Sequence, residues 1–210
     1  MAYRVVLEDD KSKEVLSAAC PVCGEDMYLR KFVKYFTLFN KALFPVNTID
    51  TFYKCDVCEA AYNTGLKELL KLDDRNKELK IEEAGKLYAK ALIASMTFMA
   101  MVDGDLDEKE QLDLHGIIGK YSEIADELIE TMDYVKLNGN KNNFVYKKLR
   151  KVREELSSDS VLAIISSAVK MILADGQMKK EEKMLIDSFL IESNLPKDLY
   201  PVLIERMMKK

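Results

Sequence analysis

The sequence predicts a mainly α protein in two parts: a small N-terminal β module and a C-terminal all-α bundle. Three observations carry this. The only four cysteines in 210 residues form two C-x2-C pairs that bracket a strand-forming run within the first 66 residues. From Glu83 onward, strand formers thin out and apolar residues recur at helical spacing. Within that second half, one stretch repeats itself after 72 residues. Apolar residues make up 48% and charged residues 32%, enough for a packed core. A mass of 24.1 kDa fits one large domain or two small ones.

The N-terminal part, residues 1–66, is organised by its cysteines. Cys20 and Cys23 lie in CPVCG, and Cys55 and Cys58 lie in KCDVCEA. Two residues between thiolates let one tight turn place both sulfurs about 2.3 Å from a single tetrahedral zinc. Gly24 follows the first pair, where such a turn favours a positive φ. The intervening run, YLRKFVKYFTLFNKALFPVNTIDTFYK, is rich in Phe, Tyr, Val and Thr and predicts strands, with a turn near Pro45 and Asn47. A segment this small cannot bury a sufficient core of its own, so a structural metal staple fits. The competing reading is a catalytic or redox dithiol, but four thiolates close the shell that catalytic zinc keeps open.

The run Arg30, Lys31, Phe32, Lys34, Tyr35, Phe36 puts positive charge beside aromatic rings, as in some single-strand nucleic-acid binders. Arg30, Lys31 and Lys34 are therefore candidate nucleic-acid contacts. The first 66 residues hold 8 basic and 9 acidic side chains, however, so no broad basic field supports them. A strand with its lysines in solvent explains the run equally well.

CPVCG, YFTLFNKALFP and KCDVCEAAY together resemble bacterial zinc-ribbon modules that carry a W-F-T-L-F-x-x-P-L-F-P-like segment between two C-x2-C pairs. The resemblance spans Ala19 to Asn63, with Tyr35 where that pattern has tryptophan and a somewhat longer segment. It implies structural zinc at Cys20, Cys23, Cys55 and Cys58.

Residues 67–82 are charged and read as a linker or connecting helix, with a break near Asp73-Asp74. The bundle then occupies 83–210. Leu87, Ala91, Ser95, Met99 and Val102 fall on one helix face, widened by Leu92, Ile93 and Met96, so this helix is expected to be central. Further helices are expected at 112–121, 124–134, 144–156, 161–173, 181–191 and 198–208, with loops at NGNKNN (138–143), SSDS (157–160) and SNLP (193–196). Met96, Met99 and Met101 read as adaptable core packing.

The internal repeat lays residues 91–118 over 163–190. Each copy has an apolar helix, then Asp-Gly, then a five-residue spacer and Glu: Asp103-Gly104 with Glu110, and Asp175-Gly176 with Glu182. Much of this is turn chemistry. Gly ends a helix with positive φ, and Asp107-x-x-Glu110 has the layout of a capping box. The second copy has Lys179 in the capping slot, yet Asp175 and Glu182 recur. Asp103, Asp105, Asp107, Glu108 and Glu110 crowd five carboxylates into eight residues, a donor set suited to Ca²⁺ or Mg²⁺. The first three have EF-hand spacing, but Glu108 and Leu114 occupy the required glycine and glutamate positions. Asp103, Asp105, Asp107, Glu110, Asp175 and Glu182 are thus a candidate second-cation site or an acidic docking face.

Helices ending in MVDGDLDEKE and ILADGQMKKEE resemble the paired ADG-x5-E hairpins of the TerB-like tellurite-resistance fold, and are similar to the N-terminal region of DjlA-type co-chaperones. The resemblance spans residues 83–208 and places Asp103, Gly104, Glu110, Asp175, Gly176 and Glu182 in the signature positions, with Val102 in place of the usual alanine. It implies a bundle of about seven helices and a setting in stress and tellurite responses.

Other functions are narrowed by inventory. A net charge of −4 excludes a strongly basic protein held on nucleic acid by bulk charge. Ala91 to Val102, 12 apolar residues, is too short to span a bilayer, and no secretory signal opens the chain, so a soluble cytoplasmic protein without a transmembrane segment is expected. The single histidine, His115, rules out a His-rich metal centre and is expected to be partly buried. No phosphate-binding loop, dinucleotide fingerprint or G-x-S-x-G elbow occurs. The expected function is a non-enzymatic zinc-binding adaptor acting through protein partners. The alternatives are a divalent-cation sensor using the acidic turns and a nucleic-acid-binding ribbon.

Overall fold

The computed structural model describes residues 2–9, 14–39, 41–104, 106–172, 180–195 and 197–208. Five strands come first: β1 (Ala2–Asp9), β2 (Val15–Leu16), β3 (Met27–Leu38), β4 (Lys41–Cys55) and β5 (Ala61–Asn63). They form one antiparallel sheet in the order β1-β3-β4-β5, with β2 beside β1 on the same edge of β3. β1 pairs with the outer part of β3, from Ala2 opposite Thr37 to Asp9 opposite Arg30. β2 takes the inner part, Val15 opposite Tyr28 and Leu16 opposite Met27.

The β3–β4 hairpin departs from the expected turn at Pro45 and Asn47. The chain reverses at residues 39–40, where Leu38 pairs with Lys41 and Phe39 has φ +49°. Pro45 instead lies inside β4, opposite Tyr35. Two features admit it. Three register shifts leave Leu43, Val46 and Ile49 as extra residues, so β4 is bulged every third position. β5 also pairs only with Phe52 to Lys54, so the outer half of β4 is an edge where a missing N–H is harmless.

The helical part opens with a single turn, α1 (Leu66–Leu69), and a long helix, α2 (Asp74–Ala100). The break expected near Asp73-Asp74 is present: Asp73 is the N-cap of α2 and accepts from the Asn76 N–H at 3.1 Å. α2 then runs uninterrupted across position 82/83. Its expected central face is buried, including Ala91, Ile93, Ser95, Met96 and Met99, and it packs against later helices. These are α3 (Glu108–Ile118), α4 (Ala125–Asn138), α5 (Phe144–Glu155), α6 (Ser158–Ile172), α7 (Lys180–Glu192) and α8 (Tyr200–Met208). Phe98 of α2, Tyr146 of α5 and Phe189 of α7 meet with ring centroids 6.1–6.4 Å apart, tying three helices together.

Two local expectations change. SSDS is not a loop. Ser157 caps α6, its Oγ accepting from the Ser160 N–H at 3.0 Å, and residues 158–160 form the first helical turn. His115 is exposed, because the buried stripe of α3 passes through Leu114 and Ile118 instead. The two parts share one apolar cluster that runs from Val5, Met27, Phe32 and Phe52 through Ile93 and Leu162 to Leu203.

Candidate metal centre

Two tight turns bring the cysteines together. In the first, Gly24 N–H donates to the Cys20 carbonyl and Cys20 N–H to the Glu25 carbonyl, both at 2.9 Å. Gly24 has the positive φ expected of it, +76°. In the second, Cys55 N–H donates to the Ala60 carbonyl at 3.0 Å, and Glu59 takes φ +60° at the position equivalent to Gly24. A non-glycine residue there costs roughly 1–2 kcal/mol, so the second turn is held by its surroundings. Cys55 ends β4 and its side chain is buried; Cys20 is buried, Cys58 half-buried and Cys23 exposed.

The four sulfurs lie within 4.8 Å of one another. The short approaches cross between the turns: Cys20 Sγ to Cys58 Sγ is 3.4 Å and Cys23 Sγ to Cys55 Sγ is 3.5 Å. All four are free thiols. A tetrahedral metal with 2.3 Å bonds to sulfur separates its ligands by about 3.8 Å, so the arrangement fits one ion held by four thiolates. A C-x2-C redox pair would instead have its nearest sulfurs within one turn. Burial pushes the Cys20 thiol up. Burial, reinforced by the three neighbouring sulfurs, pushes Cys58 up to about 12. At Cys55 burial also pushes upward, but the Cys58 and Val57 N–H groups and adjacent sulfurs outweigh it, and its pKa falls. Buried Tyr62 rises to about 12, first through burial and then through the charge of Cys20 and Cys58. Neutral thiols crowded in this way favour a cation that replaces their protons.

The other predicted site residues are placed differently. Asp107 accepts from the Glu110 N–H at 2.7 Å, and Glu110 accepts from the Asp107 N–H at 3.0 Å, completing the capping box that starts α3. Glu182 is buried in the first turn of α7. Asp105, Asp175 and Gly176 lie outside the described residues, as does the side chain of Asp103. Among the described residues, only the four cysteines form a cluster of three or more potential ligands. Of the basic candidates, Arg30 faces Asp9 at 3.0 Å and also Asp56. Lys31 meets Glu8 at 3.2 Å, and Lys34 meets Asp198 at 2.6 Å.

Sequence reading missed the joint beside the metal centre. Lys54, the residue before Cys55, donates to the buried Asp159 carboxylate at 3.0 Å. Arg206 of α8 pairs with the same carboxylate and also donates to the Asp159 carbonyl at 3.2 Å. Asp50 of β4 accepts from the Ser158 N–H at 3.1 Å, and Ser160 Oγ donates to the Ala61 carbonyl at 2.8 Å. Strand residues therefore help cap α6, and two carboxylates sit at its positive end. The available signal was Ser157 and Asp159 immediately before the apolar run that starts at Val161.

Residues 89–190 match the family model described as Tellurite resistance protein TerB, so a TerB domain is present within the bundle. The match runs from the middle of α2 into α7 and contains both copies of the repeat. No curated protein and no solved structure matches the chain. Among the described residues, no helix is long and apolar enough to cross a membrane.

Proposed function

We propose that this chain is a non-enzymatic adaptor: a zinc ribbon locked onto a TerB domain, serving protein contacts in a stress response of the tellurite type. The convergence of four sulfurs from two turns within 4.8 Å carries the reading. Soft thiolates in tetrahedral array select zinc over hard cations. Cys20, Cys23, Cys55 and Cys58 would hold the ion, which would contribute folding energy and leave no coordination position for water or substrate. Support for an adaptor comes from the outer end of the hairpin. Leu38, Leu43, Phe44 and Val46 are half exposed there, and Phe39 is 90% exposed. A contiguous apolar tip of this kind marks a contact surface.

Element analysis and zinc-edge X-ray absorption on reduced, tag-free protein test the metal. The expected result is one zinc per chain with only sulfur neighbours, at about 2.3 Å. A mixed sulfur and oxygen shell would point to an open, reactive site, and absence of zinc would return the pairs to redox chemistry. For the adaptor role, a photo-crosslinker placed at Phe39 in living cells should give one discrete protein adduct that Phe44→Ser removes. No adduct, or one indifferent to Phe44, would sink that role.

A further inference from the structure

The charge of the molecule is divided unevenly. Residues 134–153 contain seven Lys or Arg and no Asp or Glu. The remaining chain therefore holds 25 basic and 36 acidic residues, so a segment of +7 is set against −11. The segment is the end of α4, the corner at 138–143 and most of α5. Val145, Leu149 and Val152 anchor α5 in the core, which turns Lys147, Arg150 and Lys151 outward at i, i+3 and i+4. Lys151 has a single neighbouring carboxylate, Glu155 at 3.5 Å. Lys147, Lys148 and Arg150 make no ion pair among the described residues.

We propose that this face of α5, together with the corner that precedes it, binds the surface of an anionic lipid bilayer. Charge alone selects a polyanion, and three further features favour lipid. First, Leu137 stands 84% exposed within the basic run, between Lys136 and Lys141. An isolated leucine ringed by cations suits the boundary between headgroups and acyl chains. Second, the rings of the segment are not available for base stacking. Tyr134 and Phe144 pack on each other with centroids 4.4 Å apart, Lys148 Nζ sits 4.6 Å from the Phe144 centroid, and Tyr146 faces inward against Phe98 and Phe189. Third, the cations are held close without compensation. Burial and then the charges of Lys90 and Lys151 push the Lys148 ammonium pKa down, and a lipid phosphate would relieve that repulsion. Glu154 and Glu155 close the run and set its limit at the end of α5.

Co-sedimentation of the zinc-loaded full chain with vesicles tests this. Vesicles of phosphatidylcholine alone are compared with an equal mixture of phosphatidylcholine and phosphatidylglycerol. Binding to the mixture is expected, with little on phosphatidylcholine and a decline as salt rises. Each Lys or Arg at such a surface contributes roughly fivefold in partitioning. Reversing Lys147→Glu, Arg150→Glu and Lys151→Glu together should therefore weaken binding on the order of a hundredfold. Circular dichroism and zinc content should not change, because these side chains face outward. Neutralising only Lys147→Ala and Lys151→Ala should give an intermediate loss, and Leu137→Asn a smaller one that persists at high salt. No sedimentation with the anionic mixture at low salt would overturn the proposal, as would equal binding by the triple variant. Duplex DNA or polyglutamate that competes the protein off the vesicles at matched charge concentration would also overturn it, in favour of a nucleic acid or an acidic protein.

Discussion

The two ends of the β3–β4 hairpin share one pair of strands and could hardly differ more. At the cysteine end, Met27 pairs with Cys55 in regular register, and Met27, Phe32, Phe52 and Cys55 are fully buried. At the outer end, β4 is bulged three times and every residue from Lys41 to Thr48 is exposed. Both halves are rich in the residues that strands prefer, so propensity does not separate them. The inner half lies against the bundle and is pinned by Lys54, Asp50 and the two cysteine turns. The outer half has only β3 beside it. Bulges and proline accumulate where no neighbour enforces the ladder.

If this difference is real, substitutions at the two ends must differ in size. The largest effect belongs to the cysteines. Cys55→Ser, or a zinc chelator, should abolish the cooperative unfolding of the ribbon, since the metal supplies its folding energy; thermal melts with ribbon-specific exchange measurements would show it. The thiol shifts add a pH sign to this. Cys20 and Cys58 are held protonated at neutral pH, Cys58 up to about 12, so zinc must displace their protons. Apparent zinc affinity should therefore rise with pH and fall on acidification. A titration with a competing chelator at several pH values checks the slope; a flat profile would mean that the thiols are not the ligands.

Next in size is the joint. Asp159→Ala leaves Lys54 and Arg206 without their shared carboxylate in a nearly dry site, and should cost about 3–5 kcal/mol in denaturant unfolding. Phe52→Ala should cost a similar 3–5 kcal/mol or so, because a fully buried ring contacting Phe32 is removed. Phe39→Ser, at the other end of the hairpin, should change stability by less than about 0.5 kcal/mol. Equal losses at Phe52 and Phe39 would erase the distinction. Between these lies Asp107→Ala, which removes one half of the capping box and should cost about 1 kcal/mol. A larger loss accompanied by reduced Ca²⁺ affinity would give the acidic turn a role beyond capping.

The legible features were the local ones. C-x2-C spacing identifies the metal turns because the geometry closes within five residues. The capping box at Asp107 and Glu110 closes within four, and the central face of α2 shows through its own periodicity. Shift symmetry exposed the duplicated hairpins of the TerB domain for the same reason: each copy is a contiguous pattern. The failures also have physical causes. Pro45 reads as a turn residue, and only the open edge of β4 lets it stay in a strand. SSDS reads as a loop, and only contact with Asp50 and Ala61 shows it to be a buried helix start.

By itself, then, the sequence determined the fold class, the four metal-binding candidates and the repeated helical hairpins. Tertiary structure alone decided that sulfurs approach across the turns, Cys20 to Cys58 and Cys23 to Cys55. It also decided that Lys54 would meet Asp159, 105 positions away in the chain. Such pairings join residues whose separation carries no periodic signal. They arise because one apolar cluster runs through both parts, and the polar groups brought to its border must find partners there.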